Sequence, residues 1–463
     1  MVKEFLKSAQ QFLSLFITNI HTHKKYKYFL FIILVAAVKK SYDGYTLYKI
    51  VPKDDSDVKI LEEIRAKNVG EFWDEAFRAT QEAKVMVAPE KRKEFVRKLE
   101  TAKIEAKIII NDIQRAIDDQ LNPAIIRSSE SYLSYSWSEY HTLETMHIWL
   151  DELAENHPLV AKTVVMGKSV EERDIKGIIL NHHPERTNPL MGVLEGTLHA
   201  REWISAATVT WIIKEFLTSN NTEIRALAEG FEWHIFPVVN PDGYDYTFRF
   251  VSMFYSCHGV DLNRNFDFEW MTIGASNDSC SNTFAGPYAF SEPESKAIAQ
   301  YVQELNEKGT IIFYIAFHSY TQLIIIPYSH VQNNEDALLS GNYPDMVSVR
   351  FPFKKKIKYG YIYIAGHYTQ HPMSGASFDW VKYAVKVPIT YLMELRDLGE
   401  FGFLLPPNQI IPTALETMDA LVEMGNYTAR LGYIPELTFT AAAHSVVFST
   451  SILLLGILIA LLK

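Results

Sequence analysis

His199 and Glu202 stand three positions apart in Leu198-His199-Ala200-Arg201-Glu202-Trp203. On one helical turn that spacing carries both side chains to the same side. One nitrogen and one carboxylate suit zinc. Far along the chain, His318 opens His318-Ser319-Tyr320 at the end of the apolar run 311–317. It could complete a set of two histidines and one glutamate that keeps a fourth metal position for water. Glu394 interrupts the apolar run in Tyr391-Leu392-Met393-Glu394-Leu395-Arg396-Asp397. A carboxylate in such a strand is costly unless it is paired or functional. Beside a metal-activated water it would be a general base and proton carrier. In Gly259-Val260-Asp261-Leu262-Asn263-Arg264-Asn265, the pair Asn263 and Arg264 can clamp a carboxylate. Asp261 there can accept from a ligand imidazole. Each segment alone also has an ordinary reading: a surface pair, a core histidine, a salt bridge to Arg396 or a neighbour, a polar loop.

These groups need elements to hold them. Strand-like runs at 163–166, 175–180, 191–195, 232–239, 311–317, 323–327 and 387–393 alternate with helical spacing at 140–155, 202–217, 291–305 and 410–424. That alternation predicts an α/β fold: a central mixed, mostly parallel twisted sheet with helices on both faces. His199 and Glu202 then follow a strand, where open α/β sheets bind their ligands. Ahead of this lies a smaller α/β pattern, with strands at 45–51 and 104–110 and helices at 58–66, 89–99 and 111–120. Asp55 or Ser56 is available as a cap for the first helix. The loose, serine-containing stretch 122–134 reads as a linker open to proteolysis.

The chain has 463 residues, enough for two or three domains. Apolar residues make up 48% and charged residues 22%, so the bulk is globular rather than disordered. Net charge is −10 with no long basic stripe, which argues against nucleic acid as a partner. Lysines 354–356 read as a solvated patch. The only cysteines, Cys257 and Cys280, allow one bridge or two separate thiols. Sequons begin at Asn220, Asn277 and Asn426.

Near the start, the cluster His23-Lys24-Lys25-Tyr26-Lys27 precedes an apolar run at 29–38. It reads as a secretory signal set unusually far from Met1, or as an uncleaved anchor. At the other end 446–462 is nearly all apolar, consistent with a membrane tether, either a spanning helix or a removed lipid-anchor signal.

Taken together and in this order, the segments resemble the zinc metallocarboxypeptidases of the carboxypeptidase A family. The specific stretches are His199-Ala200-Arg201-Glu202-Trp203-Ile204, Asn240-Pro241-Asp242-Gly243-Tyr244, 260–266, His318-Ser319-Tyr320, 394–397 and 402–413. The resemblance implies one Zn2+ per chain, held by His199, Glu202 and His318, with Glu394 activating the water. It implies that Asn263 and Arg264 grip the terminal carboxylate, assisted by Arg201, and that Ser319, Tyr320, Phe378 and His371 contribute to substrate binding. Asp261 would orient His199, and Cys257–Cys280 would be the family's disulfide.

The implied organisation is an N-terminal extension with a signal-like segment (1–40), a ferredoxin-like activation pro-domain (41–121), a linker (122–134), the catalytic domain (135–432) and an apolar tail (433–463). The pro-domain would inhibit its own enzyme until a protease cuts near Arg127. Substrates would be peptide or protein C-termini. Phe378 stands where basic-residue-specific relatives carry an acid. With Ile325, Met373 and Leu392 as further walls, it implies cleavage of C-terminal aromatic or aliphatic residues. A monomer in the secretory pathway is expected, secreted or membrane-tethered outside the cell.

Two departures qualify this. The stretch 248–256 is shorter than its family counterpart, and its one arginine, Arg249, cannot be assigned the oxyanion role. The flexible tyrosine that closes over substrate is matched by His371, with Tyr368 nearby. They leave a second reading open: a zinc-binding, catalytically weak homologue that captures peptide C-termini.

Overall fold

The computed structural model describes residues 41–74, 78–121, 135–250, 259–331, 341–350 and 372–434, with the side chains of 249–250 and 348–350 excepted. From Tyr42 onward these residues belong to one compact unit. The extension 1–40, the linker with Arg127, Cys257, Lys354–356, His371 and the tail from 435 lie outside the described residues.

The first part is a four-stranded sheet in the order β2-β3-β1-β4. Its strands are β1 (Thr46–Ile50), β2 (Glu71–Asp74), β3 (Ala83–Val87) and β4 (Ala106–Ile110), and every pairing is antiparallel. Helices α1 (Asp55–Ala66) and α2 (Arg92–Ala102) pack on it through Leu61, Ile64, Phe95 and Leu99, which meet Ile50 and Val85 in one buried cluster. Full burial of each such side chain stabilises by about 1.5–3 kcal/mol. This is the expected ferredoxin-like arrangement, with β2 and β3 as strands the sequence reading missed. The cap of α1 is also corrected. Asp54, not Asp55 or Ser56, accepts from the backbone N–H groups of Ser56 and Asp57. A last helix, α3 (Ile113–Leu121), leads towards the linker.

The larger part is a seven-stranded sheet ordered β10-β11-β9-β7-β8-β6-β5. The strands are β5 (Ala161–Lys168), β6 (Asp174–Leu180), β7 (Leu190–Gly196), β8 (Glu232–Phe236), β9 (Thr310–Ser319), β10 (Leu323–Ile325) and β11 (Ile389–Leu395). The four inner strands β11, β9, β7 and β8 run parallel, while β10, β6 and β5 join antiparallel. The sheet is therefore mixed, with its parallel part confined to the centre. Strand alternation feeds two cores. Leu194, Phe313 and Ile315 point to helices α4 (Leu143–Asn156), α5 (Trp203–Thr218) and α8 (Ile410–Arg430). Val193, Tyr314 and Ala316 point to α6 (Pro293–Lys308) and the short α7 (Ser377–Trp380). Covered on both faces, β9 is apolar almost throughout, as central parallel strands are.

Candidate active site

The site assembles at the carboxyl ends of β7, β9 and β11. After β7, Gly196 allows the chain to turn tightly: a Cβ there would sit 2.7 Å from the Pro237 carbonyl oxygen. Thr197 ties the turn down, its N–H donating to Ser205 Oγ at 2.8 Å and its hydroxyl to the Pro237 carbonyl at 2.9 Å. His199 lies in this turn, and Glu202 is the residue capping α5, with non-helical φ −92° and ψ 62°. The pair thus shares a turn before the helix rather than a helical turn. His318 comes from β9, and β11 sets Glu394 directly beside it in parallel register.

His199, Glu202 and His318 offer ligand atoms that all lie within 4.8 Å of one another. His199 Nδ1 is 2.8 Å from Glu202 Oε1, and His318 Nδ1 is 3.1 Å from Glu202 Oε2. The two ring nitrogens face each other at 3.1 Å. The Ser319 N–H donates to Glu202 Oε2 at 3.1 Å and steadies the carboxylate. On its far side, His199 Nε2 lies 3.0 Å from Asp261 Oδ1, which fixes the ring and leaves Nδ1 turned to the cluster.

The electrostatics ask for a cation. Burial works against charge on His199, yet the Glu202 and Asp261 carboxylates override it and hold its pKa well above the usual value. Burial is likewise overridden at Glu202, whose pKa the two imidazoles draw down to about 2. Burial keeps His318 neutral, with its pKa below the usual value. A proton on His199 thus stands where a metal would displace it, as metal binding commonly does. The donor set, two imidazole nitrogens and a carboxylate, fits zinc.

The Glu394 backbone pairs within the sheet, while its carboxylate makes no hydrogen bond or ion pair among the described residues. Burial, then the nearby Glu202 carboxylate, pushes its pKa well above the usual range. A cation beside Glu202 removes the second of those causes. The ordinary alternative of a bridge to Arg396 does not hold, because Arg396 grips Glu416 through Nε at 3.1 Å and Nη2 at 2.5 Å. The loop after Asp261 forms a short turn in which Asp261 accepts from the Asn263 N–H at 2.9 Å. It presents Asn263 and Arg264 together, with Asn263 Oδ1 accepting from the Ser377 N–H at 3.0 Å and Arg264 Nε donating to the Gly274 carbonyl at 2.8 Å. Phe378, Ile325, Met373 and Leu392 are all buried in one apolar cluster. His371 and Cys257 are outside the described residues, so the closing role finds no structural account, while Cys280 is not a free thiol.

The outer side of the cleft holds what the sequence reading missed. Strand β2 of the small domain lies against Arg201, Asn282 and Tyr320. Asn282 Nδ2 donates to the Phe72 carbonyl at 2.7 Å, and Arg201 Nη2 reaches the Trp73 carbonyl at 3.4 Å. The Tyr320 hydroxyl donates to Asp74 at 2.6 Å and accepts from Lys84 Nζ at 2.8 Å, while Lys84 pairs with Asp74 at 3.1 Å. Burial opposes the charge on Asp74, but the Lys84 ammonium and the Tyr320 hydroxyl hold its pKa below the usual carboxylate range. Phe403 completes the contact, with the Arg201 guanidinium 4.0 Å above its ring and the Trp73 ring at 5.7 Å. The one sequence signal was a carboxylate following two aromatic residues in Glu71-Phe72-Trp73-Asp74.

Comparison with known proteins agrees with this geometry. The zinc carboxypeptidase family matches residues 146–420, and the carboxypeptidase activation peptide matches residues 48–120. Zinc carboxypeptidase A 1 of Anopheles gambiae is 38% identical over 420 residues, spanning 87% of this chain and 93% of the relative. Carboxypeptidase B of Rattus norvegicus is 31% identical over 414 residues, spanning 85% and 96%. The crystal structure of thrombin activatable fibrinolysis inhibitor superposes with a TM-score of 0.74 at 27% identity, covering 83% of this chain and 98% of that one. The chain belongs to the zinc carboxypeptidase family and carries that family's activation peptide ahead of its peptidase domain.

Proposed function

We propose that the protein is a zinc-dependent carboxypeptidase that removes aromatic or aliphatic residues from peptide C-termini and is made as a zymogen. The observation that carries this is the convergence of His199, Glu202 and His318 with Glu394 across the strand and the Asn263–Arg264 pair beside them. A zinc ion held there supplies Lewis-acid polarisation of a carbonyl and a water of lowered pKa. Arg264 and Asn263 take the terminal carboxylate, which sets the register of the last peptide bond. Arg201, Ser319 and Tyr320 bind the residues before it. Glu394 accepts the proton of the attacking water and returns it to the leaving amine nitrogen. Asp261 keeps His199 in the tautomer that faces the cluster.

The apolar preference rests on Phe378 and its neighbours. Next to it, Asp379 accepts from Ser329 N at 2.9 Å, and burial pushes its pKa up to about 7. Residues 41–121 inhibit through the β2 contact, and cleavage within 122–134, near Arg127, releases it. The signal-like run at 29–38 supports a secretory route. Among the described residues no helix is long and apolar enough to cross a membrane.

The test is chelator-sensitive release of a C-terminal residue, comparing peptides that end in Phe and in Arg. Faster release of Phe is expected. Preference for Arg overturns the pocket assignment, and zinc binding without turnover favours the homologue that only captures C-termini.

A further inference from the structure

The carboxylate clamp is already in contact with something. Met373 Sδ lies 3.7 Å from Arg264 Nη1 and 4.0 Å from Asn263 Nδ2. Both distances suit a sulfur acceptor, and both donors belong to the clamp. Several other polar atoms of the pair have partners of their own. Asn263 Oδ1 accepts from Ser377, Arg264 Nε donates to Gly274, and Arg264 Nη1 also donates to the Asn263 carbonyl at 3.0 Å and lies 3.5 Å from Asp261 Oδ2. Arg264 Nη1 and Asn263 Nδ2 thus both meet the sulfur, while Arg264 Nη2 takes part in none of these bonds.

The backbone of Met373 cannot withdraw to free them. Its N–H donates to the Ser329 carbonyl at 3.2 Å, and its carbonyl accepts from Ser329 Oγ at 3.1 Å. Ser329 is in turn held by Asp379. Only the side chain is left to move, and methionine is suited to it, with an unbranched chain and three rotatable bonds. A thioether is a weak acceptor, whereas a carboxylate on a guanidinium forms one of the strong, charge-assisted pairs. Exchange of sulfur for carboxylate is therefore downhill.

We propose that the Met373 thioether is a placeholder for the substrate's terminal carboxylate, and that a C-terminal residue binds by displacing it. This rests on the clamp role given to Asn263 and Arg264 above. Met373 is buried in the same cluster as Ile325, Phe378 and Leu392, so the displaced side chain moves within the apolar pocket. One side chain thus couples recognition of the carboxylate to the room left for the residue that bears it. Met373 is a positioning residue in this account, not merely a wall.

The experiment titrates zinc-loaded, full-length protein with 3-phenylpropanoate and with 3-phenylpropan-1-ol, which differ only in the carboxylate. Pocket volume acts on both probes, and the placeholder acts on the acid alone. In Met373→Ala, and in Met373→Leu, which keeps the volume and guards against misfolding, the preference for acid over alcohol should rise about threefold to tenfold, the worth of one net hydrogen bond. An equal shift of both probes, or none, overturns the proposal and leaves Met373 a wall. If wild type shows no preference for the acid and Asn263→Ala changes nothing, the clamp reading falls and the placeholder with it.

Discussion

The inner and outer halves of the cleft are built on different principles. In the inner half, His199, Glu202, His318 and Asp261 contact one another, His318 through Nδ1 only, and backbone groups of the same domain hold them. In the outer half, Arg201, Asn282 and Tyr320 find partners on the small domain, above all Asp74 and the carbonyls of β2. The inner half is complete without the small domain, while the outer half has lent its polar groups to it. If the small domain inhibits as proposed, its contacts leave the His199–Glu202–His318 cluster undistorted and act on the outer half alone.

Breaking the inner half should cost most. Removing a ligand in His318→Ala should abolish stoichiometric zinc, read as metal per chain, and take turnover with it. Retained zinc at one per chain would show that the cluster is not the metal site. Glu394→Gln should keep the zinc and lower kcat by about 10²–10⁴, the range of a positioned acid–base group. Asp261→Ala acts one step further from the metal and should weaken zinc affinity or activity by about 10- to 100-fold. An unaltered affinity and rate would mean that the His199–Asp261 hydrogen bond has no orienting role.

The outer half should respond more gently. Tyr320→Phe removes a hydrogen bond to a charged carboxylate, which is worth about 1.5–3 kcal/mol. Residual peptidase activity of the uncleaved protein should rise by about ten- to a hundredfold. Acid should do the same without mutation. Asp74 has a lowered pKa in the folded protein, so its contribution is complete above about pH 4, the ordinary carboxylate value, and is lost as pH falls through the lowered value. Lys84 has a pKa raised, against the effect of burial, by Asp74 and Glu82 of its own domain, so that share belongs to the small domain's stability, is complete at neutral pH and is lost only as the solution becomes strongly alkaline. Release of the small domain, followed by peptidase activity after brief acid exposure, would track the first of these. A release independent of pH would remove Asp74 from the interface.

The same division explains what the sequence disclosed. Glu394 could be recognised because a charge breaks an otherwise apolar strand, and His318 because it ends a long buried one. The parallel centre of the sheet was readable from such runs. Strand β2 was not: it has four residues, two of them aromatic, and no alternation long enough to register. Its importance comes from what it touches across the chain, which no local pattern encodes. The turn at His199 was misjudged for a related reason. Glu202 continues a helical pattern in sequence, and only the packing of Thr197 and Gly196 forces the chain out of it.

The central claim is that a competent zinc peptidase lies behind the small domain. Release of C-terminal Phe from a peptide should be measured on one zinc-loaded preparation before and after cleavage within residues 122–134. The account predicts slow release before cleavage and a rise of about two orders of magnitude after it, the rough scale of removing one charge-assisted hydrogen bond. It also predicts a near-complete loss of release in Glu394→Gln. Cleaved protein that still holds one zinc per chain and releases no residue would contradict it.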